Sequence, residues 1–137
     1  MAWTCPDCDR RFARQNQTHT CVPGTTVDAW LAGRPPEQRA VHDAVVNHLR
    51  AIGPVRVEAV EVGILVKRRG TFVELRPRYS CLALSFILHR PLEHPRIMRR
   101  IEMTGGRAAY FVDLKGPADV DDDVRDWLTE AYLDAPA

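Results

Sequence analysis

The chain has 137 residues, of which 27% are charged and 45% hydrophobic, and its net charge is +1. These values fit an ordinary globular domain with a real core and argue against a disordered chain. No apolar run approaches the roughly 18–20 residues that span a bilayer, and no apolar leader opens the chain, so a cytoplasmic protein without membrane contact is expected. The small net charge hides an asymmetry. Pro54 to Gly116 carries 12 Lys or Arg against 6 acids, and Pro117 onward carries 1 against 7. Such a division suits either nucleic-acid contact by the basic middle or an acidic tail helix packed beside it.

In chain order, the first feature is a metal-ligand pattern. Cys5, Cys8, His19 and Cys21 follow the spacing C-x2-C-x10-H-x-C. A C-x2-C turn aims two thiolates at one ion. On an extended segment His19 and Cys21 project to the same side and can reach the same ion. Zinc favours such a tetrahedral sulfur and nitrogen set, and four protein ligands leave no position for water, so the expected zinc is structural. Phe12 is the apolar residue expected beneath this knuckle. A redox pair would follow a strand and open a helix, whereas Pro6-Asp7 suits a turn. A DNA-reading finger would need H-x3–5-H on a helix, which H-x-C does not supply.

After the turn-rich Val22–Thr25, Thr26 is placed to cap a short turn carrying Val27, Trp30 and Leu31. Pro35-Pro36 suits the start of a longer helix, whose Val41, Val45, Leu49 and Ile52 recur at helical spacing up to Gly53-Pro54. Alternation then predicts strands around Val55–Ala59 and Val62–Val66, a basic turn at Lys67-Arg68-Arg69-Gly70, and a strand from Thr71 to Arg76. Cys81–Leu88 reads as a central strand buried on both faces. Pro91–Arg100 reads as a loop with a short helical turn, and Ile101–Met103 and Ala108–Leu114 complete the sheet. Asp119 is the expected cap of a last helix, with Asp121, Asp122 and Asp123 in its first turn and a stripe of Val120, Val124, Trp127, Leu128, Ala131 and Tyr132. The expected fold is α+β: a zinc knuckle over 1–24, then over 25–137 a helix, an antiparallel sheet of five or six strands and a C-terminal helix.

With these pieces placed, the chain resembles the bacterial domain of unknown function 5655 family in a zinc-headed form. The matching residues are Trp3-Thr4-Cys5-Pro6 with Cys8, Gln17-Thr18-His19-Thr20-Cys21, Leu31-Ala32-Gly33, Gly53-Pro54, Lys67–Arg69, Arg76-Pro77-Arg78, Pro91-Leu92, Pro95-Arg96-Ile97, Trp127-Leu128 and Ala131-Tyr132. Similar sequences often carry Lys where this one has Glu61. The resemblance implies the α+β fold and no catalytic mechanism.

No phosphate loop or nucleophile elbow is present. His42 and Asp43 are adjacent and expected to face different ways, and Cys81 is expected in the core. The expected function is a non-enzymatic interaction module that binds nucleic acid or another protein. Its contacts would be Lys67, Arg68 and Arg69 with Arg76 and Arg78 across a hairpin, joined by Arg10 and Arg11, with Tyr79 as a stacking surface. The other reading is a small enzyme or ligand-binding domain with a pocket around His89, Arg90, His94 and Arg96.

Overall fold

A computed structural model describes residues 2–6, 10–19 and 26–137. The N-terminal part is a two-stranded hairpin, β1 (Trp3–Thr4) and β2 (Arg11–Phe12), in which Trp3 faces Phe12. The Cys5 N–H donates to the Arg10 carbonyl (2.8 Å), which extends the ladder by one bond. Helix α1 (Val27–Ala32) is capped as expected: the Thr26 hydroxyl accepts the Ala29 N–H. Helix α2 (Pro36–Ile52) starts with Pro36, where a missing N–H costs nothing.

The sheet comprises β3 (Arg56–Val60), β4 (Gly63–Lys67), β5 (Thr71–Pro77), β6 (Leu82–Leu88), β7 (Arg99–Glu102) and β8 (Ala108–Leu114). Every pairing is antiparallel, and the order is β3-β4-β5-β6-β8-β7. The last helix, α3, spans Asp122–Asp134. The α+β class and the six strands are as expected. Among the described residues no helix is long and apolar enough to cross a membrane.

Period-2 side-chain alternation divides the sheet into two faces. One row runs through Ala59, Ile64, Leu75, Leu84 and Val112 across five strands, and these pack with Val41, Val45 and Leu49 of α2 and Val124, Leu128 and Ala131 of α3. This is the main core, and Tyr110 is its largest fully buried side chain. The opposite row reads Glu58, Leu65, Glu74, Ser85, Phe111 and Arg99. The N-terminal hairpin lies against the β3–β4 end of that second face, joined to it through Glu58 and Lys67.

Three expectations need correction. The cap of α3 is Asp121, whose Oδ1 accepts the Val124 N–H, while Asp119 ends a short 3-10 turn and accepts the Lys115 N–H. Residues 91–98 form a loop with one turn, closed by the Ile97 N–H on the His94 carbonyl (3.0 Å), and the strand that follows starts at Arg99 rather than Ile101. The basic turn expected at Lys67–Gly70 is shorter, because Lys67 is the last residue of β4, and β4 and β5 are both internal strands.

Candidate functional site

Two of the four expected zinc ligands, Cys8 and Cys21, lie outside the described residues. The other two share one small cluster. Cys5 is buried beside Phe12, with Trp3 packed against both, and the His19 ring lies 4.1 Å from the Phe12 ring, centre to centre. Phe12 thus packs against both of the described candidate ligands. The His19 Nδ1 sits 2.7 Å from the Gln17 carbonyl. A carbonyl only accepts, so Nδ1 carries the proton and Nε2 the lone pair. Metal-ligating histidines commonly hold this tautomer, with the second nitrogen donating to a backbone carbonyl.

The basic residues separate into groups with different work. Lys67 is buried, and its Nζ lies 2.8 Å from Glu58 Oε1 and donates to the Arg11 carbonyl (2.9 Å). Glu58, also buried, accepts the Arg11 N–H (2.8 Å) and the Arg56 Nε–H (2.7 Å) and has Arg10 Nε at 3.8 Å. Burial alone would push the Glu58 carboxyl up. The hydrogen bonds from Lys67, the Arg11 N–H and Arg56 outweigh it and hold the group below the usual carboxylate range. Arg10 and Lys67 also flank the Phe12 ring, each 4.9 Å from its centre. This node was not legible as a site. In a strand that alternates, Glu58 reads as an ordinary solvent-side residue.

Arg68 turns to the end of α3. It donates from Nη1 to the Tyr132 and Ala135 carbonyls (2.9 and 3.0 Å) and stacks 4.2 Å over the Tyr132 ring. Carbonyls left unpaired at a helix C-terminus favour a cation there. Arg69 is exposed. Arg76 and Arg78 do not join the others in one patch. Arg76 sits at the opposite end of β5 and bonds Glu74, and Arg78 lies beyond the strand next to the fully exposed Tyr79. A strand rises about 3.3 Å per residue, so the five residues from Thr71 to Arg76 put roughly 17 Å between the two groups.

Arg11, Arg68 and Arg69 do share a cleft of about 350 Å³, together with Ala2, Ala13 and Ala137. It adjoins a second cleft of about 270 Å³ that also contains Arg69, floored by Phe72, Ile87 and Ala135 and edged by His89 and Arg107. Sequence reasoning did not find this floor, since its residues come from three separated segments.

The loop at 89–98 is tied to α3 rather than gathered into a pocket. Arg90 grips Glu130 with two hydrogen bonds (2.7 and 2.8 Å), and Arg96 bonds Asp121 (2.8 Å) and the Asp119 carbonyl. His94 lies 3.4 Å from Asp123 and meets Trp127 edge-on. Of this group, His89 lines the second cleft. The acidic tail therefore does neutralise part of the basic middle. His42 and Asp43, expected to face apart, are in contact: Nδ1 donates to Oδ1 at 2.9 Å. Cys81 is buried, and burial pushes its thiol up.

A family model described as Domain of unknown function (DUF5655) matches residues 27–135. The chain belongs to this family. The match covers the three α-helices and the whole six-stranded sheet, and the N-terminal hairpin lies outside it. No curated protein and no solved structure matches the chain.

Proposed function

We propose that this member of the family is a zinc-stabilised, non-enzymatic binding module that takes nucleic acid across the seam between its N-terminal hairpin and its sheet. The observation that carries the reading is the cleft where Arg11, from the hairpin, meets Arg68 and Arg69, from the β4–β5 turn. Three guanidinium groups around one concave surface suit phosphate oxygens, which their planar forks bind two at a time. Zinc held by Cys5, Cys8, His19 and Cys21 would brace the hairpin that supplies Arg11. The buried Cys5 and the His19 tautomer support that assignment. In this reading Lys67 and Arg10 do not contact the ligand; with Glu58 they hold the seam together.

The test has two arms. Native mass spectrometry of protein purified without added metal should find one zinc per chain, lost on chelation. Fluorescence anisotropy with a labelled single-stranded oligonucleotide should show affinity falling roughly 20-fold between 50 and 200 mM salt, as three phosphate contacts imply. Replacing Arg11 and Arg69 by Ala should flatten that dependence. No measurable association, or one indifferent to salt, rejects the nucleic-acid reading and leaves a protein partner as the alternative.

A further inference from the structure

We infer that the second cleft, between β5, the end of β6 and the last turn of α3, is a binding site for a small amphipathic anion: an aromatic or short aliphatic body carrying one carboxylate or phosphate. Its floor is apolar. Phe72, Ile87, Ala131 and Ala135 line it, and Phe72 and Ala131 are themselves buried. Its volume, about 270 Å³, is near the lower end for small-molecule pockets, which start at roughly 300 Å³.

The ionisable side chains at this cleft are all basic, and Thr71 adds a hydroxyl. Arg69 comes from the β4–β5 turn, His89 from the residue after β6, and Arg107 from the residue before β8. Three separate segments thus bring a guanidinium or an imidazole to one cavity, and no described lining residue is acidic. Asp134 accepts the His89 main-chain N–H (3.4 Å) and is not part of the lining.

Several cations elsewhere in the domain are matched by carboxylates, among them Lys67 by Glu58, Arg90 by Glu130 and Arg96 by Asp121. Among the described residues neither Arg69 nor Arg107 has a carboxylate within ion-pair distance. Arg107 is nonetheless oriented, because its Nε donates to the Thr104 carbonyl (3.1 Å). An apolar slot with an oriented, unmatched guanidinium at its rim complements a ligand with an apolar body and an anionic head.

The experiment is a titration of the ¹⁵N-labelled full chain with 2-naphthoate, 2-naphthyl phosphate and neutral 2-naphthol, followed by amide chemical shifts. The two anions should move the amides of Gly70, Thr71, His89 and Ala135, and naphthol should bind about tenfold more weakly, the loss expected for one charge-assisted hydrogen bond. Whichever anion binds more tightly identifies the head group. Arg107→Gln should weaken the anions about tenfold and leave naphthol unchanged. Ala135→Phe should fill the slot and abolish all three. If that variant does not fold, Arg107→Gln at the rim still decides the matter. Shifts confined to other regions, equal binding of naphthol, or anion affinity unchanged in Arg107→Gln would each overturn the inference. Arg107 and Ala135 lie outside the Arg11–Arg68–Arg69 cleft, so failure of oligonucleotide binding and failure here are separate results.

Discussion

Lys67 Nζ lies 2.8 Å from Glu58 Oε1 on neighbouring strands, and both side chains are buried where the N-terminal hairpin meets the sheet. Truncating one partner of such a pair strands the other charge. Glu58→Gln should therefore cost about 3–5 kcal/mol in chemical denaturation, whereas replacing both residues with apolar ones of similar volume should recover much of it. The pH dependence follows from the lowered Glu58 carboxyl. Its folded value lies below the ordinary 4.5, so its contribution is complete above that value and is lost as pH falls through the folded one. The stability gap between the wild type and Glu58→Gln should be constant from pH 5 to 8 and should narrow in acid. A gap that widens in acid would contradict the assignment.

The start of α3 offers a paired comparison. Asp121→Ala removes the Val124 cap and the Arg96 partner together, and should cost about 1–2 kcal/mol by thermal or urea unfolding. Asp119→Ala removes one bond to the Lys115 N–H and should cost less. Equal losses would mean that the cap is not at Asp121.

Tyr110 holds the 89–98 loop from inside the core. Its hydroxyl donates to the Arg90 carbonyl and accepts the Leu92 N–H, each at 2.9 Å. Tyr110→Phe preserves the packing but leaves both main-chain groups without this partner, which should cost about 1–3 kcal/mol. Amide exchange should speed up at Leu92 more than at Val112, two residues further along β8. Uniform acceleration would point to global destabilisation instead.

Gly63 pairs with Val60 at the start of β4, and a Cβ there would come within 2.3 Å of the Leu75 carbonyl oxygen. That neighbour is main chain of an internal strand and cannot swing aside. Gly63→Ala should destabilise by about 1–3 kcal/mol through overpacking, read as a lowered Tm. Gly70→Ala, with nothing within 4 Å of the new methyl, is the matched control.

Local chemistry made the helices readable. Pro35-Pro36, Gly53-Pro54 and the spacing of Val41, Val45 and Leu49 act within a few residues, and α2 runs between those limits. The strands followed from alternation for the same reason. At α3, Asp119 and Asp121 are both competent caps, and only the 3-10 turn at Pro117–Asp119 decides between them. The basic cluster was visible as composition but not as geometry. A register shift between Val66 and Lys67 accompanies a turn in which Lys67 goes inward, Arg68 to a helix end and Arg69 to the surface. Glu58 was invisible as a buried residue because its cover comes from a hairpin more than 40 positions earlier in the chain. Arg90, His94 and Arg96 face acids of α3 that sequence distance hides, while His89 lines the cleft beside Phe72 and Ile87.

The strand order also bears on how the chain assembles. From β3 to β6 each strand pairs with the one just before it, so short hairpin closures can build four strands in succession. That pattern ends at β6, whose next partner is β8, with Leu82 opposite Leu114. The strand between them in sequence, β7, bonds only to β8 at the outer edge. β7 and β8 can close on each other as a hairpin, Glu102 opposite Ala108, before β8 meets β6. The longest closure within the sheet is therefore the one that brings Ala108–Leu114 back to β6, and it also completes the setting of Tyr110 and gives the 89–98 loop its anchor.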